Sequence, residues 1–135
     1  ISGAMMYSQK NWGGSIIAQF GSGLPYTPES TEDISTLITN SARKPVTWNM
    51  DFRSYYRPNI LLKNMTLFLR VKNVFDHLNH YGVYNDSGRA DETININRAL
   101  KTEPSEAINT IDDWFKNETF YSQPRRVEFG INYDF

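Results

Sequence analysis

At 135 residues, with 39% hydrophobic and 21% charged residues, the chain fits a single folded domain, globular or barrel. A net charge of −1 and a pI of about 6.1 leave no basic field to recruit nucleic acid or an anionic membrane surface, and the absence of cysteine excludes a disulfide framework, a zinc–thiolate site and a thiol nucleophile. No stretch approaches the roughly 20 apolar residues of a transmembrane helix, so any membrane crossing is made by strands.

The first predicted element is a strand over about residues 1–7. Its sequence, Ile1-Ser2-Gly3-Ala4-Met5-Met6-Tyr7, has no basic segment followed by an apolar one, and the chain is expected to begin inside a longer protein. Ser8 to Asn11 is turn-like. A second strand is predicted over 12–22, where Trp12, Ile16, Ala18 and Phe20 oppose Gly13, Ser15, Gln19 and Gly21. From Gly21 to Pro45 the sequence is dominated by Gly, Pro, Ser, Thr and Asn and predicts a long polar loop. Alternation resumes in a third strand over 46–57. Val46, Trp48, Met50 and Phe52 share one face, and Thr47, Asn49, Asp51 and Arg53 the other, a polar set that a soluble core accepts only at a cost.

Arg57-Pro58-Asn59 predicts a turn. In the fourth strand, over 63–75, Met65, Leu67, Leu69 and Val71 alternate with Thr66, Phe68, Arg70 and Lys72. A long polar excursion follows to about Phe120. Within it Tyr81 to Tyr84 and Thr93 to Ile96 flank a turn as in a small hairpin, and Ile108, Ile111, Trp114 and Phe115 after Pro104 predict a short helix over 104–116. The fifth strand covers 121–135. From Val127 to Phe135 every odd position is apolar and every even one polar or glycine.

The predicted strands, about 9 to 15 residues each, are longer than those of most soluble sheets and long enough for a tilted membrane crossing. Their connections alternate short and long, as periplasmic turns and extracellular loops do in outer-membrane barrels, and the 14% aromatic content suits interfacial girdles. The expected fold is all-β: a fragment of an antiparallel transmembrane β-barrel, of about five strands, with long extracellular loops, one carrying a short helix.

Four segments carry a family resemblance. Val71-Lys72-Asn73-Val74-Phe75-Asp76-His77-Leu78-Asn79 resembles the K-N-[VL]-F-D-x-x-N segment near the end of TonB-dependent outer-membrane receptors. Gly21 to Pro28, with Ser22-Gly23-Leu24-Pro25-Tyr26-Thr27, resembles their S-G-x-P-Y-T passage, Tyr84 to Arg89 resembles their Y-x-D-[ST]-G-R segment, and the aromatic ending resembles their barrel-assembly signal. The order is also that family's order. The resemblance implies the last quarter of a barrel of about 22 strands, since five strands do not close. It implies a location in the bacterial outer membrane and import of a scarce nutrient such as an iron–siderophore complex, cobalamin or a glycan. The plug domain and the segment that contacts TonB are absent from these 135 residues.

By the same resemblance, Phe129, Ile131, Tyr133 and Phe135 form the signal read by the barrel-assembly machinery, which adds strands by edge pairing. The plainer reading is a hydrophobic strand end of any sheet. Asn73, Phe75, Asp76, Asn79, Gly88 and Arg89 are the motif positions. The first three are expected to close a strand through an Asx-type turn rather than to do chemistry. Arg53, Arg70, Lys72, Asp51 and Arg126 are expected on a lumen face. His77 and His80 lack a third ligand, and the acidic residues Glu106, Asp112, Asp113 and Glu118 lack EF-hand spacing. No nucleophile-elbow pattern is present. No enzyme activity, cofactor, metal or nucleic acid is therefore expected. The implied partners are outer-membrane lipid, the rest of the barrel with its plug, TonB, the assembly machinery and an unidentified nutrient. Two rival readings stand beside this one: a soluble β-rich ligand-binding protein, and a small outer-membrane barrel enzyme.

Overall fold

The computed structural model describes residues 1–29, 38–58, 64–94 and 117–134. The helix expected over 104–116, the residues Asn95 and Ile96, and Phe135 lie outside the described residues. The strands are β1 (Ser2–Ser8), β2 (Trp12–Gly21), β3 (Pro25–Tyr26), β4 (Ala42–Arg43), β5 (Thr47–Tyr56), β6 (Met65–Lys72) and β7 (Arg126–Tyr133). The chain divides into two compact units, one of Ile1–Gly21, Trp48–His77 and Gln123–Phe135, the other of Ser22–Thr47 and Leu78–Ser122.

The first unit is an all-β sheet of five strands in the order β1-β2-β5-β6-β7. Period-two patterning explains why each segment is extended, and short connections make β1 with β2 and β5 with β6 antiparallel neighbours. The Gln9 N–H donates to the Trp12 carbonyl across the β1–β2 turn, and the register places Tyr7 opposite Gly14 and Ser2 opposite Gln19. The Arg57 N–H donates to the Asn11 carbonyl beside β2. β5 pairs with β6 through Phe52 opposite Val71 and Tyr56 opposite Leu67, and β6 pairs with β7 along its length, from Met65 opposite Tyr133 to Lys72 opposite Arg126.

Two strand ends fall short of the expected bounds, for one shared reason. β6 stops at Lys72 because Asn73 takes a left-handed backbone, φ 51°. Val74, rather than Asn73, then donates to the Met50 carbonyl, so one extra residue is accommodated on this strand as in a β-bulge. The Asn73 N–H, displaced from the ladder, donates instead to Asp51 Oδ1 at 3.0 Å. β7 starts at Arg126 rather than near 121, because its lead-in serves that same turn: the Gln123 carbonyl accepts from Asn73 Nδ2, and the Arg125 N–H donates to Asp76 Oδ1.

In the second unit β3 pairs with β4, Pro25 opposite Arg43 and Tyr26 opposite Ala42, inside a segment expected to be loop throughout. Residues 84–89 form a tight turn, and the second arm of the expected small hairpin, 93–96, lies partly outside the described residues. The Tyr84 N–H donates to the Arg89 carbonyl and the Gly88 N–H to the Tyr84 carbonyl, and no ladder follows as far as Ile94. A 3-10 turn, Glu118–Phe120, is capped by Asn117, whose side chain accepts from the Thr119 N–H. The Phe120 carbonyl receives both the Tyr81 and Gly82 N–H groups, and the Phe120 ring meets Tyr84 edge-on at 5.1 Å.

Ala90 is the one buried apolar side chain among the described residues, and Asn73, Asn79 and Thr93 are the buried polar ones. The five-stranded sheet thus buries no described apolar side chain. A soluble sheet of this size packs one face on a core layer.

Candidate functional site

In the five-stranded sheet the registers of β1–β2 and of β5–β6–β7, joined by Gly13 lying against Tyr55 and Gly14 near Phe52, assign strand residues to two faces. Met5, Tyr7, Trp12, Ile16, Phe20, Phe52, Tyr56, Leu67, Leu69 and the β7 residues Val127, Phe129, Ile131 and Tyr133 share one of them. In β7 these four residues are 61, 68, 59 and 49% exposed, while Glu128 between them is half-buried. The polarity is inverted relative to a soluble strand. Fully burying one such side chain is worth on the order of 1.5–3 kcal/mol, and an open apolar surface of this extent marks a site of contact with protein or membrane.

Aromatic residues gather at both ends of this face. Tyr7 and Trp12 meet at a tilt, ring centres 5.1 Å apart, by the β1–β2 turn, and the registers bring Tyr56 and Tyr133 to the same end. At the opposite end are Phe20 and Trp48. Trp48 packs against Phe75 at 5.5 Å and stacks on His77 at 4.5 Å. Trp12 to Phe20 and Trp48 to Tyr56 are each eight residues apart, roughly 26 Å along a strand. Between these two ends the face carries Ile16, Phe52, Leu69 and Phe129.

The other face is polar. Arg70 donates to Glu128 at 2.9 Å, its cross-strand partner, and Arg126 reaches the second Glu128 oxygen at 2.8 Å. Arg53 stands directly opposite Arg70, and Tyr55 lies against Gly13 and hydrogen-bonds Ser8 at 2.7 Å. Arg53, Arg70 and Arg126 therefore share one face with Glu128, whereas Asp51 is occupied by the Asn73 N–H and by Asn49 Nδ2.

The motif positions do architectural work. Buried Asn73 donates from Nδ2 to the His77 and Gln123 carbonyls and accepts the His77 N–H at Oδ1, so one side chain ties the end of β6 to the approach of β7. Asp76, also left-handed at φ 56°, adds the bond to Arg125. Phe75 is exposed and meets Trp48. In the second unit the Asn79 N–H donates to Ser122 Oγ and its carbonyl receives the Ser122 N–H. His80 accepts the Ala90 N–H at Nδ1.

Gly88 and Tyr26 join two of the four resembling segments. Gly88 has φ 71°, and the Tyr26 hydroxyl occupies the space a Cβ would need, so only glycine fits both the backbone and the contact. The Glu29 N–H to the Asn85 carbonyl closes the same junction. Arg89 forms a two-nitrogen pair with Asp91 at 2.8 and 2.7 Å. Those hydrogen bonds hold the Asp91 carboxyl below its usual range and push the Arg89 guanidinium up. The pair is therefore intact at neutral pH and is lost only as pH falls through the depressed Asp91 value. Burial, then Asp91 and Tyr84, push the Tyr121 phenol up.

Four partners carried no warning in the sequence: Asp51 for Asn73, Gln123 for Asn73, Arg125 for Asp76, and Tyr26 for Gly88. Each contact joins segments distant in the chain, and neither partner's residue type or spacing announces it. No family model, curated protein or solved structure matches the chain.

Proposed function

We propose that the chain is the C-terminal part of the barrel of a TonB-dependent outer-membrane receptor, a nutrient importer rather than an enzyme. In this reading the apolar face contacts outer-membrane lipid and the polar face looks into the barrel. The short turns lie on the periplasmic side, and the long connections after β2 and β6 face outward and help to capture the ligand. β7, with Phe129, Ile131 and Tyr133 in one row, is the strand the assembly machinery would pair by its edge. Both outer edges of a five-stranded piece need partners, which the rest of the barrel would supply.

The observation that carries this reading is the exposed apolar row of β7 alternating with an ion-paired Glu128. The four ordered sequence resemblances and the aromatic rows support it. The soluble alternative needs a second layer over that row.

The test is fractionation of the full-length protein. It is expected in the outer-membrane fraction, released by detergent and migrating differently with and without heating. Recovery as a monodisperse soluble monomer without detergent would sink the reading.

A further inference from the structure

His80 in the second unit is fixed at its backbone and engaged at its ring. Its main chain pairs with Tyr121 in an isolated antiparallel bridge. The Ser122 N–H bonds the Asn79 carbonyl on one side of that bridge, and the Tyr81 and Gly82 N–H groups bond the Phe120 carbonyl on the other. The ring meets Tyr121 edge-on at 5.4 Å and accepts the Ala90 N–H at Nδ1, 3.2 Å away. An accepting Nδ1 carries no hydrogen, so the neutral ring holds its own at Nε2. Ala90 is buried, and its amide loses a partner that water does not replace if the ring withdraws.

Protonation removes the acceptor, because both nitrogens of an imidazolium are donors, and imidazole is the side chain whose charge ordinarily changes between about pH 5 and 8. The other titratable groups on the described segments around it are Tyr81, Tyr84, Asp86, Arg89, Asp91 and Glu92 on one side and Glu118 and Tyr121 on the other, while Lys44 donates to the Tyr81 carbonyl. Carboxylates and phenols ordinarily titrate outside that window. The bonds from Arg89 hold the Asp91 carboxyl lower still, and burial pushes the Tyr121 phenol up. Asp91 is also close enough to His80 for the two charges to attract, so a protonated ring has a carboxylate to turn to. We propose that His80 is an acid-operated latch on the 84–91 turn: neutral, it holds the Ala90 amide, and protonated, it releases that amide and donates toward Asp91. The latch lies wholly in the second unit and does not depend on which side of the sheet meets lipid. On the reading of the connection after β6 as one that captures ligand, release makes capture acid-sensitive.

Hydrogen exchange of the full-length protein, read by mass spectrometry at pH 7.5 and 5.5 with labelling times scaled for the intrinsic pH dependence of amide exchange, tests this directly. A peptide spanning 84–91 is expected to exchange about tenfold faster at pH 5.5, while one spanning 126–133 keeps its scaled rate. His80→Asn places a carbonyl oxygen near the position of Nδ1 without a titrating group, and is expected to keep the slow exchange at both pH values. His80→Ala is expected to exchange fast at both. Equal scaled rates for the unaltered protein at the two pH values, or an acid response that persists in either variant, would overturn the proposal. Acceleration of 84–91 and 126–133 together would overturn it as well, since that is the mark of general unfolding.

Discussion

Phe129→Arg in the full-length protein is expected to lower its level in the outer membrane at least severalfold, while Asn132→Arg in the same strand leaves it nearly unchanged. Phe129 sits mid-strand, opposite Leu69, on the exposed apolar face. An arginine on the lipid face near the middle of the bilayer costs about 2–4 kcal/mol, whereas the lumen face tolerates charge. Asn132 belongs to that second face, opposite Thr66. The check is quantitative immunoblotting of outer-membrane fractions for both variants. Equal loss in both would show that β7 tolerates charge on neither face, and equal retention would show that Phe129 does not face lipid.

Asn73→Ala is expected to destabilise the protein by about 3–4 kcal/mol. The substitution strands the His77 and Gln123 carbonyls and the His77 N–H, each worth roughly 1 kcal/mol when left without its partner, and it places a Cβ-bearing residue without a stabilising side chain at φ 51°. Asn73→Gly keeps the left-handed backbone and is expected to cost about 1 kcal/mol less. Asp51→Asn, which retains an oxygen for the Asn73 N–H, is expected to cost under about 1 kcal/mol. Denaturant unfolding in detergent ranks the three. An unchanged midpoint for Asn73→Ala would contradict the clamp described for this turn.

The five antiparallel strands were legible because a two-residue alternation runs through each, unbroken from Val127 to Tyr133 and interrupted in others, as at Ile17 in β2 and Phe68 in β6. The pattern also separates Arg53, Arg70 and Arg126 from Phe52, Leu69 and Val127, since a side chain's face depends only on its parity. What the alternation does not encode is where it is broken. β6 ends at Lys72 because Asn73 turns left-handed and finds Asp51, His77 and Gln123, partners set by tertiary position. Likewise Tyr26 against Gly88 required the fold, since the two lie in segments that composition alone describes as polar loop. The resembling segments marked the right places for turns without revealing what each turn holds. Which side of the sheet is covered was also not readable, because an apolar row looks the same whether it meets a core or lipid.

That last question has a direct measurement. These 135 residues contain no cysteine, so single cysteines at positions 127 to 133 of the full-length protein in membranes, with any cysteine elsewhere in that protein replaced, report only their own site. Nitroxide labels at these positions are expected to show oxygen accessibility that oscillates with a period of two, high at 127, 129, 131 and 133 and low at 128, 130 and 132. A flat profile, or one with the opposite phase, would contradict the assignment of this face to lipid.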